Sequence, residues 1–368
     1  MAEMTKDEML KIVNESISKL ENKKFKVFFF VLDTKGNPSG ALEYIYQTAL
    51  NLKNDGYDVA MLHQENEFIG VNGWLGEEYG NLPHYNIEKE NVEISPSDFL
   101  FIPEIFANVM LQTKKLPCKR VMIVQNYDNI CEFMPPAQNP LKLGISDAIV
   151  TTKEQVKKLN EYFPGLKCHV VSPSIKKMFR NNDGPRKLIV NILSKDQTKF
   201  NQIVKPFYWK NPVYQWISFR DLRGLPQETF CDALRESAIT IWVDDDTKFG
   251  YNLLESLRCG NIVLAKTPIH PSDWMLDENG ELTENVLWFE DIEDIPTILS
   301  SVVRSWTLDS IPEEIYTNQA KFDDLYLEEN QHSEIVDEYV YGLFKKRLDD
   351  FKEVLVDVEN NVFKTKDE

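Results

Sequence analysis

Short apolar runs alternate along this chain with stretches in which apolar residues recur every three or four positions. Apolar runs bounded by polar turns predict buried strands, and the longer period predicts amphipathic helices packed against them. In the first half the runs fall at 26–32, 58–63, 98–102, 120–125, 147–151 and 169–171, with helical stretches such as 41–54 and 153–162 between them. The pattern restarts after the polar segment 180–186, with runs at 188–193, 214–219, 239–243, 262–265 and 286–289 and helices near 198–209, 227–237, 250–259 and 292–305. Strands alternating with helices are the signature of stacked βαβ units and parallel sheets. The expected fold is therefore α/β, with two Rossmann-like domains at 1–180 and 181–330, parted where Gly, Pro and charge give the composition of a linker. The remainder, 331–368, holds a long amphipathic helix at 331–358 whose Ile335, Tyr339, Leu343, Phe351, Val354 and Val358 share one stripe. That stripe needs apolar surface, either on its own domain or by crossing back to the first.

Composition narrows the function classes. At 368 residues the chain exceeds the size at which one core stops growing, and 42% apolar with 27% charged residues supplies two cores. A small binding module and a disordered chain are both excluded. The most apolar run, 27–32, is far shorter than the roughly 20 residues that span a bilayer. The polar, helical start lacks the cationic-then-apolar order of a signal peptide, so a cytoplasmic protein without integral membrane association is expected. Forty-one Lys and Arg against 59 Asp and Glu give a formal charge of −18, which opposes broad binding to nucleic acids and anionic membranes. Five scattered cysteines, never spaced CxxC, and five ungrouped histidines predict reduced thiols and no metal site.

The most informative segment is 244–265, which follows a strand, turns at Gly250, runs as a short helix to Gly260 and enters the next strand. A helix that begins at a glycine turn aims free backbone N–H groups and its positive dipole end above the sheet, a position suited to a diphosphate. Here Phe249, Gly250, Leu254, Glu255, Cys259, Gly260 and Val263 match in register the donor-binding segment of retaining GT-B glycosyltransferases, and the chain resembles glycosyltransferase family 4, the glycosyl transferases group 1. By that resemblance Glu255 binds the ribose hydroxyls of a nucleotide, and the N–H groups of Tyr251, Asn252 and Leu253 meet its diphosphate. The family places a second Glu eight positions earlier, against the donor sugar, where this chain has Thr247. Asp246 or Asp245 would reach the same hydroxyls if the loop differs by a residue.

Lys195 ends the strand at 188–193 and faces the carboxyl edge of the sheet, where an ammonium neutralises a leaving diphosphate. The family commonly has an Arg and a Lys there. A surface lysine in a turn is the competing explanation, and Arg220 or Arg223 would supply the second cation. In the first half the loop 33–40 resembles the family's glycine-containing turn before the first helix, with Ser39 and Gly40 as candidates. Gln125, Asn126 and Tyr127 end a strand where related enzymes orient sugar hydroxyls; packing or turn-capping competes with that role. His270, in a Pro-flanked loop, is a candidate contact for the base.

What the resemblance implies is a hexosyl- or pentosyltransferase that moves a sugar from a nucleoside diphosphate such as UDP to a hydroxyl, with retention and without metal. The nucleotide sugar is a co-substrate and no cofactor is needed; catalysis rests on preorganised cations and N–H donors. The acceptor, a saccharide, lipid, protein or modified nucleotide, is open, although Trp74, Tyr79 and Tyr85 in the loop 65–86 would stack on a sugar or merely pack. Two alternatives share the architecture: a non-catalytic glycosyltransferase-like binding protein, motivated by Thr247, and a nucleotide-sugar epimerase of the same fold.

Overall fold

The structure, a computed structural model, describes residues 5–181, 184–244, 249–309 and 333–359. Two parallel sheets are present. The first has seven strands, β1 (Lys26–Phe30), β2 (Asp58–His63), β3 (His84–Asn86), β4 (Phe99–Pro103), β5 (Lys119–Val124), β6 (Asp147–Val150) and β7 (Lys167–Val170), in the order β3-β2-β1-β4-β5-β6-β7. Its helices are α1 (Lys6–Glu21), α2 (Gly40–Asn54), α3 (Glu77–Gly80), α4 (Ala107–Gln112), α5 (Tyr127–Phe133) and α6 (Lys153–Tyr162). In β1, Val27 and Phe29 enter the core on one face and Phe28 and Phe30 that on the other. Burial on both faces is why this strand reads as an unbroken apolar run instead of an alternation.

The second sheet has five strands, β8 (Lys187–Leu193), β9 (Ser218–Asp221), β10 (Ser237–Trp242), β11 (Ile262–Lys266) and β12 (Leu287–Phe289), in the order β12-β11-β10-β8-β9. Around it lie α7 (Gln197–Lys210), α8 (Gln227–Glu236), α9 (Tyr251–Arg258) and α10 (Ile295–Thr307). Two expectations shift. β3 was not visible as an apolar run, because His-Tyr-Asn is only half apolar. β9 starts at Ser218 instead of 214, because Pro212–Tyr214 forms a 3-10 turn that keeps Tyr214 out of the ladder. Ile175 and Phe179 already pack in the second core, so the chain crosses between the halves ahead of the segment 180–186.

The last helix, α11 (Ser333–Glu359), returns to the first half. Val340 and Leu343 are buried there, and the Phe344 ring lies 4.7 Å from Phe25, 4.5 Å from Phe99 and 5.0 Å from Tyr57. Tyr339 stacks on His169 at 3.7 Å, and Arg347 donates to the Pro96 and Pro117 carbonyls. The apolar stripe thus finds its surface by crossing back, next to α1.

In each sheet the strand order reverses once, between β1 and β4 in the first and between β8 and β10 in the second. Such switch points leave a crevice at the carboxyl ends of the strands, because the connecting loops depart in opposite directions.

Candidate functional site

Both crevices open into one cavity of about 1040 Å³ between the halves. From the first half it is lined by the turn after β1 with the start of α2, by Glu104 and Phe106 after β4, and by Gln125, Asn126 and Asn129 after β5. The second half contributes Ser194 and Lys195 after β8, Arg223 after β9, Asp244 after β10, and the start of α9 with Glu255.

Helix α9 begins at Gly250, whose φ of 81° and ψ of 42° lie in the left-handed region. A Cβ here would stand 2.4 Å from Met275 Cε and 3.1 Å from Trp274 Cζ2, so glycine is required by both conformation and space. Trp274 Nε1 donates to the Phe249 carbonyl at 2.7 Å and fixes the turn. Among the described residues no side chain caps this helix start, and Gly250, Tyr251 and Asn252 line the cavity. Leu253 is buried in the core beneath them. The first turn of α9 and the positive end of its dipole therefore face the cavity, an arrangement that suits an anion.

One turn further, Glu255 is 3% exposed and reaches the cavity wall. Burial, with the Glu43 carboxylate adding to it, raises its pKa well above the ordinary value, against the opposing pull of Lys176 and Arg258. Glu43 comes from α2 across the cavity. Its Oε1 accepts from Gln227 Nε2 at 2.6 Å and from Gln47 Nε2 at 3.2 Å. Lys176 Nζ donates to Gln227 Oε1 at 2.6 Å, and Tyr251 OH donates to Gln47 Oε1 at 2.9 Å. A polar seam thus joins the two halves along the floor of the site.

Lys195 projects from the exposed end of β8, and the loop that carries it is shaped by Asp244, which accepts from the Lys195 N–H at 2.9 Å and from Ser194 Oγ at 3.2 Å. Arg220 is not brought to the cavity: its guanidinium pairs with Glu236 at 2.6 Å, at the far end of α8. Arg220 and Lys187 together hold the Glu236 carboxyl at about 2, well below its usual range, Lys187 contributing most. Arg223 does line the cavity, but Asp221 engages it through Nε and Nη2. Thr247 and Asp246, with Asp245, lie outside the described residues.

In the first half, Ser39 caps α2 by accepting from the Leu42 N–H at 3.4 Å. A Cβ on Gly40 would stand 3.6 Å from Tyr251 Cδ2, an ordinary contact, so the starts of α2 and α9 face each other. Gln125 Nε2 donates to the Ala41 carbonyl at 3.0 Å. Asn126 caps α5 through Asp128 N–H, the competing role foreseen for it. Tyr127 and His270 bond to each other across the seam at 2.6 Å, and neither lines the cavity. Tyr79 is buried beneath Lys176 Nζ at 4.4 Å and packs, whereas Trp74, also buried, lines the cavity.

The residue that sequence reasoning missed is Glu104. It follows Pro103 at the end of β4, the central strand of seven, directly at the first switch point, and is 2% exposed. Its Oε1 accepts from Asn126 N–H at 2.9 Å, Gln125 N–H at 3.2 Å and Asn129 Nδ2 at 3.0 Å. Burial raises its pKa, and those hydrogen bonds oppose the rise. Its only sequence signal was an acid closing the apolar run Phe99–Pro103. Among the described residues, no group of three His, Cys, Asp or Glu side chains converges in a way that could hold a metal ion.

No protein-family model matches the chain, and comparison with curated proteins gives no match. Solved structures do match in fold. A sucrose-phosphate synthase from Thermosynechococcus elongatus superposes with a TM-score of 0.59 at 10% identity, covering 88% of this chain and 98% of that one. TarM gives 0.57 at 9% identity over 87% and 98%. The pneumococcal O-GlcNAc transferase GtfA, in complex with UDP and GlcNAc, gives 0.55 at 9% over 91% and 99%. By fold the chain is an α/β protein of the GT-B type, two parallel sheets facing one cleft.

Proposed function

We propose that this chain is a glycosyltransferase that moves a hexosyl or pentosyl unit from a nucleoside-diphosphate sugar, UDP being the first donor to test, to a hydroxyl acceptor. The observation that carries the reading is the start of α9, whose first turn lines the cavity at the second switch point, with Glu255 one turn behind it. Two structures of similar fold, GtfA in complex with UDP and GlcNAc and starch synthase IV from Arabidopsis thaliana bound to ADP and acarbose, hold nucleotides on this fold and support the choice of ligand class.

In this reading residues 181–330 hold the donor. The amides of Tyr251, Asn252 and Leu253 receive the diphosphate, Glu255 takes the ribose hydroxyls, and Lys195 neutralises charge as the diphosphate departs. Residues 1–180 present the acceptor, with Gln125 near the sugar. The bond from the anomeric carbon to the phosphate oxygen breaks, the acceptor oxygen bonds to that carbon, and its proton passes to the leaving diphosphate. Retention and independence from metal belong to the proposal, as does a cytoplasmic site of action. Such chemistry uses fixed cations and N–H donors in a site from which water is excluded.

The test is calorimetric titration with UDP, ADP, GDP and CDP and their glucose conjugates, with and without EDTA, followed by assay for released nucleoside diphosphate. At least one nucleotide sugar should bind in the micromolar range and turn over, unaffected by the chelator. An absence of binding across the panel would reject the reading.

A further inference from the structure

Among the described residues four carboxyl side chains line the cavity: Glu43, Glu104, Asp244 and Glu255. Three are accounted for. Glu43 is engaged by Gln227 and Gln47, Asp244 shapes the Lys195 loop, and Glu255 stands beside the donor amides. Glu104 is the remaining one, and it lines the cavity from the first half, across from Glu255.

Its geometry is that of an oriented acceptor of hydrogen bonds. The Asn126 and Gln125 amides and Asn129 Nδ2 all donate to Oε1, and the residue's own N–H adds to the donors around the carboxyl. Among the described residues no other residue donates to Oε2. A carboxylate held by one oxygen has its second oxygen fixed in direction, and because Glu104 lines the cavity a donor that enters it can meet that oxygen. The strand that carries Glu104 is the rigid centre of the sheet, flanked by β1 and β5, and Pro103 removes backbone freedom directly before it. Such rigidity suits a group that must hold a reacting atom in place.

We propose that Glu104 Oε2 seats the attacking hydroxyl: it accepts the hydrogen bond of the acceptor's O–H, or of a water in the absence of acceptor, and aims that oxygen across the cavity at the anomeric carbon of the donor. This inference rests on the transferase reading above. It assigns the acceptor end of the reaction to a carboxylate that neither the family resemblance nor any motif indicated. As the new carbon–oxygen bond forms, the proton leaves for the departing diphosphate, so Glu104 orients the hydroxyl without retaining its proton.

A loop-holding role for Glu104 makes different predictions, and the variant Glu104→Gln separates them. The amide oxygen of Gln can accept the same three hydrogen bonds, so a purely structural role survives the change, whereas the anionic seat is lost. The experiment measures, for wild type and variant, donor dissociation constant by calorimetry, melting temperature, and the slow hydrolysis of whichever of UDP-, ADP- or GDP-glucose binds most tightly. Hydrolysis is transfer to water and needs no knowledge of the acceptor. The expected result is a donor affinity within about twofold of wild type and a hydrolysis rate lowered at least about thirtyfold, the effect of losing one charged hydrogen bond. The wild-type rate should also fall as pH drops through the Glu104 pKa, and that acid limb should be missing from the variant. Unchanged hydrolysis, or an acid limb that persists in Glu104→Gln, overturns the seat. Loss of donor binding together with a lowered melting temperature also overturns it, in favour of the loop-holding role. If wild type binds no nucleotide sugar, the transferase reading falls first and this inference with it.

Discussion

Glu255 is the residue on which stability and ligand binding should move in opposite directions. Glu255→Gln keeps the side chain's volume and removes its charge. In the empty protein that charge is a burden: the carboxyl is 3% exposed, and both burial and Glu43 press its pKa upward. A carboxyl whose folded pKa lies above its unfolded value of 4.5 contributes stability that is complete below that value and is lost as pH rises through the folded pKa. Above 4.5 the wild type gives up this contribution progressively as pH rises, while the glutamine variant has no proton to lose. The variant should melt at the same temperature as wild type or higher near pH 7, and the difference should shrink toward pH 4.5. Binding should go the other way. If ribose hydroxyls donate to an ionised Glu255, the loss is about 1.5–3 kcal/mol, or roughly ten- to a hundredfold in donor dissociation constant. If the carboxyl stays neutral in the complex, a neutral hydrogen bond of about 0.5–1.5 kcal/mol predicts tenfold or less. Scanning calorimetry across pH and isothermal titration with the nucleotide sugar measure both quantities on the same protein. A variant that melts lower at neutral pH and binds the donor as wild type does would refute the reasoning, because Glu255 would then be a structural acid.

Three further perturbations test other parts of the structure. Gly250→Ala puts a side chain at a left-handed φ of 81° and within 2.4 Å of Met275 Cε; it should cost at least about 1–2 kcal/mol in urea unfolding and abolish nucleotide binding, since the turn must shift. Phe344→Ala removes the ring that α11 inserts among Phe25, Tyr57 and Phe99, and should destabilise by about 3–5 kcal/mol in the same assay, while truncation of an exposed α11 residue such as Lys345 should do nothing measurable. His84 has its pKa lowered by burial and by nearby His63, so its contribution to stability is present above the ordinary value of 6.5 and is lost as pH falls below it. The melting temperature should decline over that range, and His84→Gln should flatten the decline.

Much of this architecture was readable because parallel sheets bury both faces of each strand. The runs at β1 and β4 are apolar at nearly every position and read as buried strands. The unread parts depend on contacts between residues far apart in sequence. Arg220 looked like a cation at a strand end, yet Glu236, sixteen residues away on α8, captures it. Glu104 looked like the polar close of a strand, and only the approach of the 125–129 loop shows that its carboxyl is buried and aimed. The turn at Gly250 was legible because glycine followed by a helix is a local feature. That Met275 and Trp274 make the glycine obligatory was not, since both arrive from the connection between β11 and β12.

The way the two halves meet bears on how a donor enters. Each half closes its own apolar core, and what joins them is largely polar: Gln227 to Glu43, Lys176 to Gln227 and the Leu75 carbonyl, Tyr251 to Gln47, Tyr127 to His270, and Lys153 N–H to Asp273. Hydrogen bonds of this kind are worth only about 1 kcal/mol each in net terms, because water replaces them when they part. Separation therefore breaks mainly polar contacts, and α11, anchored through Phe344, belongs to the core of the first half. Tyr251 links this seam to chemistry. Its backbone stands in the first turn of α9, where the diphosphate is proposed to bind, while its ring lies against Gly40 and its hydroxyl bonds Gln47. A ligand that draws the α9 amides toward itself must therefore also shift the contact that holds the halves together, so occupancy of the donor site and closure of the cleft are coupled through one residue.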